Sequence, residues 1–322
     1  MMNKNFSKDS FSNQNEVRWC PGCGDYAILS ALQKTLANIG ESPEKHVFVS
    51  GIGCSGRLPY YMNAFGFHTI HGRATAVASG LKLMRPDMTV WIITGDGDGL
   101  SIGAGHLIHL LRRNINVKIL LLNNQVYGLT KGQFSPTSVM GQITKTSPTG
   151  VNQNPINPLM LALGAGAKFI ARSIDKDPVH MSQVFEAAYR FQGCAFVEIY
   201  QDCHVFNAGA FDTFSTKTQR QSQVLYLEDQ KPMLYGSELQ QEGLCFDQHG
   251  VHKVLPTDQV ILHDQNDFLK AVQLVNLHYP AYPVPVGVLY QTQAPIYAFT
   301  NQGMADTSAL NELYRKGATW SR

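Results

Sequence analysis

The sequence predicts an open α/β fold, a mostly parallel sheet flanked by helices, with a C-terminal extension behind it. Three observations carry this. Thr89 to Ile93 and Val117 to Leu122 are short apolar runs without polar alternation, the pattern of strands buried on both faces. Between them, Ile102, Leu107, Leu110 and Leu111 recur at helical spacing and predict a helix over Leu100 to Arg112. Glycines crowd the end of the first strand, at Gly95, Gly97 and Gly99. A strand–helix–strand unit with parallel strands brings both strand ends to one sheet edge, where such folds bind ligands.

The remaining elements follow in order. Residues 1–15 are polar, rich in Asn and Ser, and are expected to form a flexible arm; no apolar stretch there suggests a secretory signal. Asp25 is placed to cap a helix whose face is Ile28, Leu29, Leu32, Leu36 and Ile39, with Gly40 as its stop. Val47 to Ser50 is a strand that runs into Gly51-Ile52-Gly53-Cys54-Ser55-Gly56-Arg57. His71-Gly72-Arg73-Ala74 opens a helix through Val77, Ala78, Leu81 and Met84 that Pro86 helps to end. Val139 to Asn157 reads as a long loop over the ligand edge, and long loops in compact domains tend to be functional. Asn157-Pro158 starts a short helix. Phe169 to Ala171 is a strand, Val179 to Phe191 a helix, and Ala195 to Tyr200 a last core strand that delivers Cys203 to the same edge. From Phe206 periodicity fades, apart from a helix over about Asn266 to Leu277.

Composition narrows the function classes. Only 16% of the 322 residues are charged, against about 25% in typical domains, which suggests that partner subunits cover much of the surface. A net charge of +2 is too mild to argue for nucleic acid or an anionic membrane. No apolar run approaches the roughly 18 residues of a membrane span. A cytoplasmic location is expected, where thiols stay reduced or bind metal.

Two constellations carry chemistry. Asp96 and Asn124 lie at neighbouring strand ends, and a carboxylate, an amide oxygen and a backbone carbonyl make a half-shell of hard oxygens suited to Mg²⁺. Cys20 and Cys23 form a Cys-x-x-Cys pair, open to a thiol redox role, a zinc site or an iron–sulfur site. Cys54 and Cys203 fall at the same sheet edge, giving four thiolates that either zinc or a [4Fe–4S] cluster can use. Cys194 and Cys245 have no such context and read as buried small hydrophobes.

Gly95-Asp96-Gly97 followed by Asn123-Asn124 resembles the diphosphate-anchoring motif of thiamine-diphosphate enzymes. Its continuation, Gln125-Val126-Tyr127-Gly128-Leu129-Thr130-Lys131-Gly132-Gln133-Phe134-Ser135-Pro136-Thr137, is sharper and resembles the β subunits of 2-oxoacid:ferredoxin oxidoreductases. Cys54-Ser55-Gly56-Arg57 and Tyr127-Gly128-Leu129-Thr130 look most like the 2-oxoglutarate type, with pyruvate and branched-chain relatives behind. The resemblance implies a thiamine-diphosphate-binding fold, with residues 16–205 binding the cofactor and a [4Fe–4S] cluster. Residues 206–322 are then an extension packing on the cluster and a subunit interface. It implies Cys20, Cys23, Cys54 and Cys203 as cluster ligands, and Asp96, Asn124 and the Val126 carbonyl as Mg²⁺ ligands. Gly95, Gly97, Asp98, Gly128 and Leu129 would line the cofactor, His71 would contact the thiamine, and Ile52, Gly53, Cys54 and Ser55 would lie between thiazolium and cluster. Arg57, with Leu129 as an apolar wall, would face the substrate. The activity implied is oxidative decarboxylation of a 2-oxoacid with coenzyme A, electrons leaving to ferredoxin, in either direction.

Two absences in the sequence matter here. Only one diphosphate-type domain is visible, and no Cys-x2-Cys-x2-Cys-x3-Cys ferredoxin run accompanies it. The chain is therefore expected to need an α subunit for cofactor activation, in an (αβ)2 heteromer with this cluster as its sole internal relay. A non-redox thiamine carboligase leaves the four cysteines without a role. A zinc-stabilised nucleotide-binding scaffold leaves the Thr130-Lys131-Gly132-Gln133 loop without one.

Overall fold

The computed structural model describes residues 6–237, 240–247, 250–257, 260–298 and 307–317. In chain order the helices and strands begin α1 (Asp25–Ile39), β1 (His46–Ser50), β2 (Phe65–His68), α2 (Ala74–Met84), β3 (Thr89–Gly95), α3 (Ala104–Arg113) and β4 (Lys118–Asn123). They continue α4 (Pro158–Gly164), β5 (Phe169–Ile174), α5 (Pro178–Arg190), β6 (Ala195–Tyr200), α6 (Asp212–Ser215), α7 (Lys217–Gln223) and β7 (Val224–Leu227). A small antiparallel sheet of β8 (Leu234–Ser237), β9 (Gln240–Asp247) and β10 (Gly250–Val254) follows, then α8 (Phe268–Val275), β11 (Val284–Gln291) and α9 (Thr307–Lys316).

The main sheet has eight strands in the order β2-β1-β3-β4-β6-β5-β11-β7. From β2 to β5 every pairing is parallel; β11 runs antiparallel to β5 and parallel to β7. Successive strand residues point to opposite faces, so the apolar strands feed two cores. Val90, Ile92, Ile119 and Leu121 pack under α2, α3, α4 and α8. Trp91, Ile93, Leu120 and Leu122 pack under α1 and α5 on the other face. Parallel strands buried on both faces leave only their ends free for chemistry.

Several boundaries differ from the sequence reading for identifiable reasons. The stretch read as a flexible arm is folded from Phe6 onward: Phe11 is fully buried beside α1, and Asn13 and Asn15 donate to the Tyr60 carbonyl. One buried aromatic outweighs the polar composition around it. Asp25 is the first residue of α1 rather than its cap; Gly24 occupies the cap position. The helix expected from Leu100 is preceded by a π turn at Asp98–Ile102, and α3 proper starts after Gly103. Strand β2 carries no sequence signal because it is an edge strand with all four residues exposed. Strand β11 is masked in the sequence because Pro285 and Gly287 punctuate it as a loop would. Pro285 precedes the ladder to β5, which begins at Gly287, and stands in register with Leu225 on the β7 side. Residues 206–298 thus complete the main sheet through β7 and β11, as well as adding the small one. Cys194 is fully buried as expected, whereas Cys245 in β9 is only half-buried. Among the described residues, no helix is long and apolar enough to cross a membrane.

Candidate functional site

The ends of β1, β3, β4 and β6 converge on two adjoining cavities. The first, about 130 Å³, is lined by Ile52, Gly53, Cys54 and Ser55 after β1, by His71, and by Gly95 to Asp98 after β3. Asn124, Val126, Gly128 and Leu129 close it from the β4 side. Every residue expected to line a cofactor or bind Mg²⁺ therefore borders one cavity.

Asp96 and Asp98 are both buried, but they have different roles. Asp98 faces inward as a clamp. Its Oδ1 accepts the backbone N–H groups of Ile52 at 3.0 Å and Gly72 at 2.8 Å, and lies 2.6 Å from His71 Nδ1. Its Oδ2 accepts the Thr94 hydroxyl at 2.7 Å. A carboxylate oxygen can only accept, so His71 Nδ1 donates to Asp98, and Nε2 is the ring nitrogen not engaged by it. The expected lining role of Asp98 is thus narrowed: its carboxylate ties three loops together. Gly72 allows this because its φ is +69° and a Cβ there would stand 2.6 Å from the Gly103 backbone nitrogen.

Asp96 is the carboxylate left for a cation. Its Oδ2 accepts the hydroxyls of Thr137, at 2.6 Å, and Ser135. Burial raises its pKa above the usual carboxylate range, and those two hydroxyls oppose the shift by bonding the charged form. Asn124 is oriented by its Nδ2 donating to Gln201 Oε1 at 2.8 Å, while its Oδ1 accepts Val126 N–H at 3.2 Å. Between them Gln125 takes a left-handed φ of 58°, reversing the chain. The Tyr127 hydroxyl reaches back to the Gly97 carbonyl at 3.0 Å, and a Cβ on Gly97 would stand 2.2 Å from that ring. Ser135, Thr137 and Gln201 carry parts of the site that the sequence alone did not assign. The first two lie in the motif that follows Asn124, but nothing in their spacing points at Asp96.

The second cavity, about 220 Å³, shares Cys54, Asn124, Gly128, Leu129 and Gln201 with the first. Cys20, Cys23, Cys54 and Cys203 all line it. A Cβ on Gly128 would stand 3.5 Å from Cys203 Sγ and 3.6 Å from Cys54 Sγ, so these sulfurs flank one peptide. Gln201 Nε2 donates to Cys23 Sγ at 3.3 Å, and Trp19 Nε1 donates to the Cys54 carbonyl at 2.8 Å. Burial pushes the Cys54 thiol up to about 12, and Asp25 and the neighbouring cysteines add to it; burial raises Cys23 as well. Thiols that resist ionisation in the bare protein need a metal to become thiolates. Among the described residues no three His, Cys, Asp or Glu side chains converge on a single ion. The cysteines surround a cavity instead.

Arg57 and Asp25 depart from expectation. Arg57 borders the cysteine cavity rather than the first one, and its Nη1 donates to the Arg18 carbonyl at 3.1 Å. Leu129, half exposed, borders both cavities. Asp25, expected only as a helix cap, is fully buried and lines the first cavity. Burial raises its pKa to about 7, the Cys23 thiol opposing and Asp175 reinforcing the shift.

This fold, with paired strand ends around a buried acidic turn, is that of a thiamine-diphosphate-binding enzyme domain. Residues 51–199 match the family model of the thiamine pyrophosphate enzyme C-terminal TPP-binding domain. The chain is 44% identical over 329 residues to the 2-oxoglutarate oxidoreductase subunit KorB of Mycobacterium tuberculosis, covering 97% of this chain and 87% of that one. It is 45% identical over 189 residues to subunit β of 2-oxoacid:ferredoxin oxidoreductase 1 of Aeropyrum pernix, covering 59% of each chain. Among solved structures it resembles the 2-oxoglutarate:ferredoxin oxidoreductase from Magnetococcus marinus with 2-oxoglutarate, coenzyme A and succinyl-CoA bound. That match has a TM-score of 0.75 at 32% identity, over 100% of this chain and 94% of the other. The chain belongs to the family of 2-oxoacid:ferredoxin oxidoreductase β subunits.

Proposed function

We propose that this subunit, paired with an α subunit, oxidatively decarboxylates 2-oxoglutarate to succinyl-CoA and CO₂, delivering the electron pair to ferredoxin. One observation carries the reading: Cys54 sits in the shared wall of the two cavities, so an electron leaving the first meets the cysteine cavity at once. Thiamine diphosphate, when bound, supplies the electron sink that decarboxylation of a 2-oxoacid requires. Asp96, Asn124 and the Val126 carbonyl would hold Mg²⁺ on its diphosphate; a carboxylate with two neutral oxygens fits a hard cation. Cys20, Cys23, Cys54 and Cys203 would hold the [4Fe–4S] cluster. The support is that all four cysteines line one cavity, drawn from three separate stretches of the chain, whereas structural zinc sites usually gather their ligands as local pairs.

The chain's own residues supply placement and electrostatics. Asp98 holds the β1 loop, the His71 turn and β3 in one arrangement, with the Nδ1 side of His71 fixed and the residue bordering the cavity. Leu129 and Gly128 separate the cavities without filling either. The α subunit would activate the cofactor and complete the coenzyme A site in an (αβ)2 assembly. The cytoplasm suits this chemistry because thiolates stay reduced there.

The test is anaerobic co-expression with the α subunit, followed by iron and sulfide analysis and ferredoxin reduction with a panel of 2-oxoacids. Cluster-level iron with coenzyme A-dependent turnover favouring 2-oxoglutarate is expected. Colourless protein carrying stoichiometric zinc would sink the reading, and preference for pyruvate would move the substrate to another branch of the family.

A further inference from the structure

Behind Asp96 lies a line of buried polar groups that crosses three strands. Arg172 in β5 and Glu198 in β6 are register partners, and Arg172 Nε donates to Glu198 Oε2 at 2.8 Å with the side chains only 5% and 1% exposed. The guanidinium also lies 5.2 Å from the Tyr200 ring centre. An ion pair so deeply buried is a weak source of stability, since desolvation offsets most of its attraction. Its geometry points to a different use.

The second oxygen of Glu198, Oε1, accepts Asn123 Nδ2 at 2.8 Å. That bond decides which way the Asn123 amide faces: a flip would set its oxygen against a carboxylate. The Asn123 Oδ1 consequently faces Thr137 Oγ1, 2.8 Å away. Thr137 Oγ1 is also 2.6 Å from Asp96 Oδ2, the oxygen that Ser135 reaches too. Thr137 has one hydroxyl proton and two acceptors; the charged carboxylate is the stronger, so the proton goes to Asp96 Oδ2 beside that of Ser135, and the Asn123 contact fixes where the Thr137 oxygen sits. Ser138 ties the same loop down, accepting the Ser135 N–H at 2.9 Å and donating to the Gln125 carbonyl at 2.6 Å. With Oδ2 held by hydroxyls, the carboxylate cannot rotate freely, and Oδ1 keeps one direction.

We propose that Thr137, itself set by the Arg172–Glu198–Asn123 chain, is a positioning residue that orients the Asp96 carboxylate for its cation. This rests on the reading of Asp96 as a magnesium ligand. The loop at residues 135–138 then buttresses Asp96 through its hydroxyls.

The experiment strips the αβ complex of thiamine diphosphate and Mg²⁺, then measures Mg²⁺-dependent rebinding of thiamine diphosphate by calorimetry. Iron content serves as the check on folding. Thr137→Val should weaken rebinding about tenfold or more, the scale of one hydrogen bond to a charged group. Thr137→Ser, which restores the hydroxyl, should recover most of it. Asp96→Ala should abolish rebinding. Near-normal rebinding by Thr137→Val, with Asp96→Ala dead, overturns the proposal and leaves the Asp96 reading standing. Normal rebinding by Asp96→Ala overturns both. The chain beyond Thr137 is tested by a double-mutant cycle with Glu198→Gln, whose losses should be less than additive. Full additivity removes Glu198 from the proposal. Should Glu198→Gln not fold, Arg172→Met with Glu198→Met replaces both charges together and keeps the cycle open.

Discussion

Asp98 Oδ1 and His71 Nδ1 lie 2.6 Å apart, with the same oxygen accepting backbone amides from two other loop positions. A single buried atom therefore fixes both the nitrogen through which His71 donates and the spacing of the loops beside it. Asp98→Ala should lower thiamine diphosphate affinity about tenfold or more, because charge-assisted bonds are lost and two buried amides go unpaired. His71→Asn, whose amide can still donate to Asp98, should lose less. Calorimetric titration of both variants checks this; equal losses would show that the loop spacing depends on the ring itself.

The cation ligands give a second expectation. Asp96→Ala should abolish thiamine diphosphate retention through gel filtration while iron content stays at the wild-type level. The two cavities adjoin, but Asp96 borders only the first. Normal cofactor content in this variant would refute the assignment.

How much of this was legible in the sequence depends on the kind of signal. Asp96, Asn124 and the four cysteines stood out because strand ends and glycines marked the ligand edge, and the fold brings them to it. The resemblance set Asp96 apart as the metal ligand, but the clamp made by the Asp98 carboxylate was not legible, because it depends on the π turn at Asp98–Ile102 that turns this side chain toward the β1 loop and His71. Strand β11 was hidden by Pro285 and Gly287, which punctuate like a loop although the strand is paired on both edges, with β5 and with β7. Glu198 and Arg172 lay inside strands, where register alone makes them partners.

The cysteines can be separated from one another. Cys203→Ser should deplete cluster iron even though Cys203 is remote in sequence from Cys54, because both sulfurs flank Gly128. Cys194→Ser and Cys245→Ser should leave iron intact: neither borders the cysteine cavity. Iron analysis of anaerobically purified variants decides. Dependence on Cys194 or Cys245, with indifference to Cys203, would make the ligand set wrong.

Stability should fall on acidification through His46. This ring is fully buried, and burial lowers its pKa to about 4. Trp91 Nε1 donates to His46 Nδ1 at 3.3 Å, so protonating that nitrogen would set two hydrogens against each other. Glu41 Oε2, 3.5 Å from Nε2, favours the charged ring, but burial outweighs it. A histidine with a depressed folded pKa binds fewer protons than in the unfolded chain. Its stabilising contribution is complete above the unfolded value of about 6.5 and is lost as pH falls toward about 4. Lowering pH from about 7 to about 5 should cost about 2 kcal/mol from this group. His46→Gln should flatten that part of the denaturation profile; an unchanged slope would refute the assignment.

Arg57 allows a test of substrate choice. It borders the cysteine cavity beside Leu129, whose side chain reaches both cavities. One arm of its guanidinium is bonded to the Arg18 carbonyl, and among the described residues no carboxylate pairs with it. If the far end of a dicarboxylic 2-oxoacid passes Leu129 out of the first cavity, this cation is placed to attract its distal carboxylate, with Leu129 against the methylenes. A charge-assisted bond is stronger than a neutral one, and its loss in a desolvated site leaves the substrate carboxylate unpaired. Arg57→Met should therefore lower kcat/KM for 2-oxoglutarate by about 1.5–3 kcal/mol, roughly ten- to a hundredfold. Pyruvate and 2-oxobutyrate, which lack the second carboxylate, should lose much less. Cluster iron must be measured alongside, because Arg57 also lowers the pKa of the Cys54 thiol through its charge. Equal losses for both substrate types at normal iron content would move Arg57 from substrate recognition to holding the Arg18 segment over the cysteines.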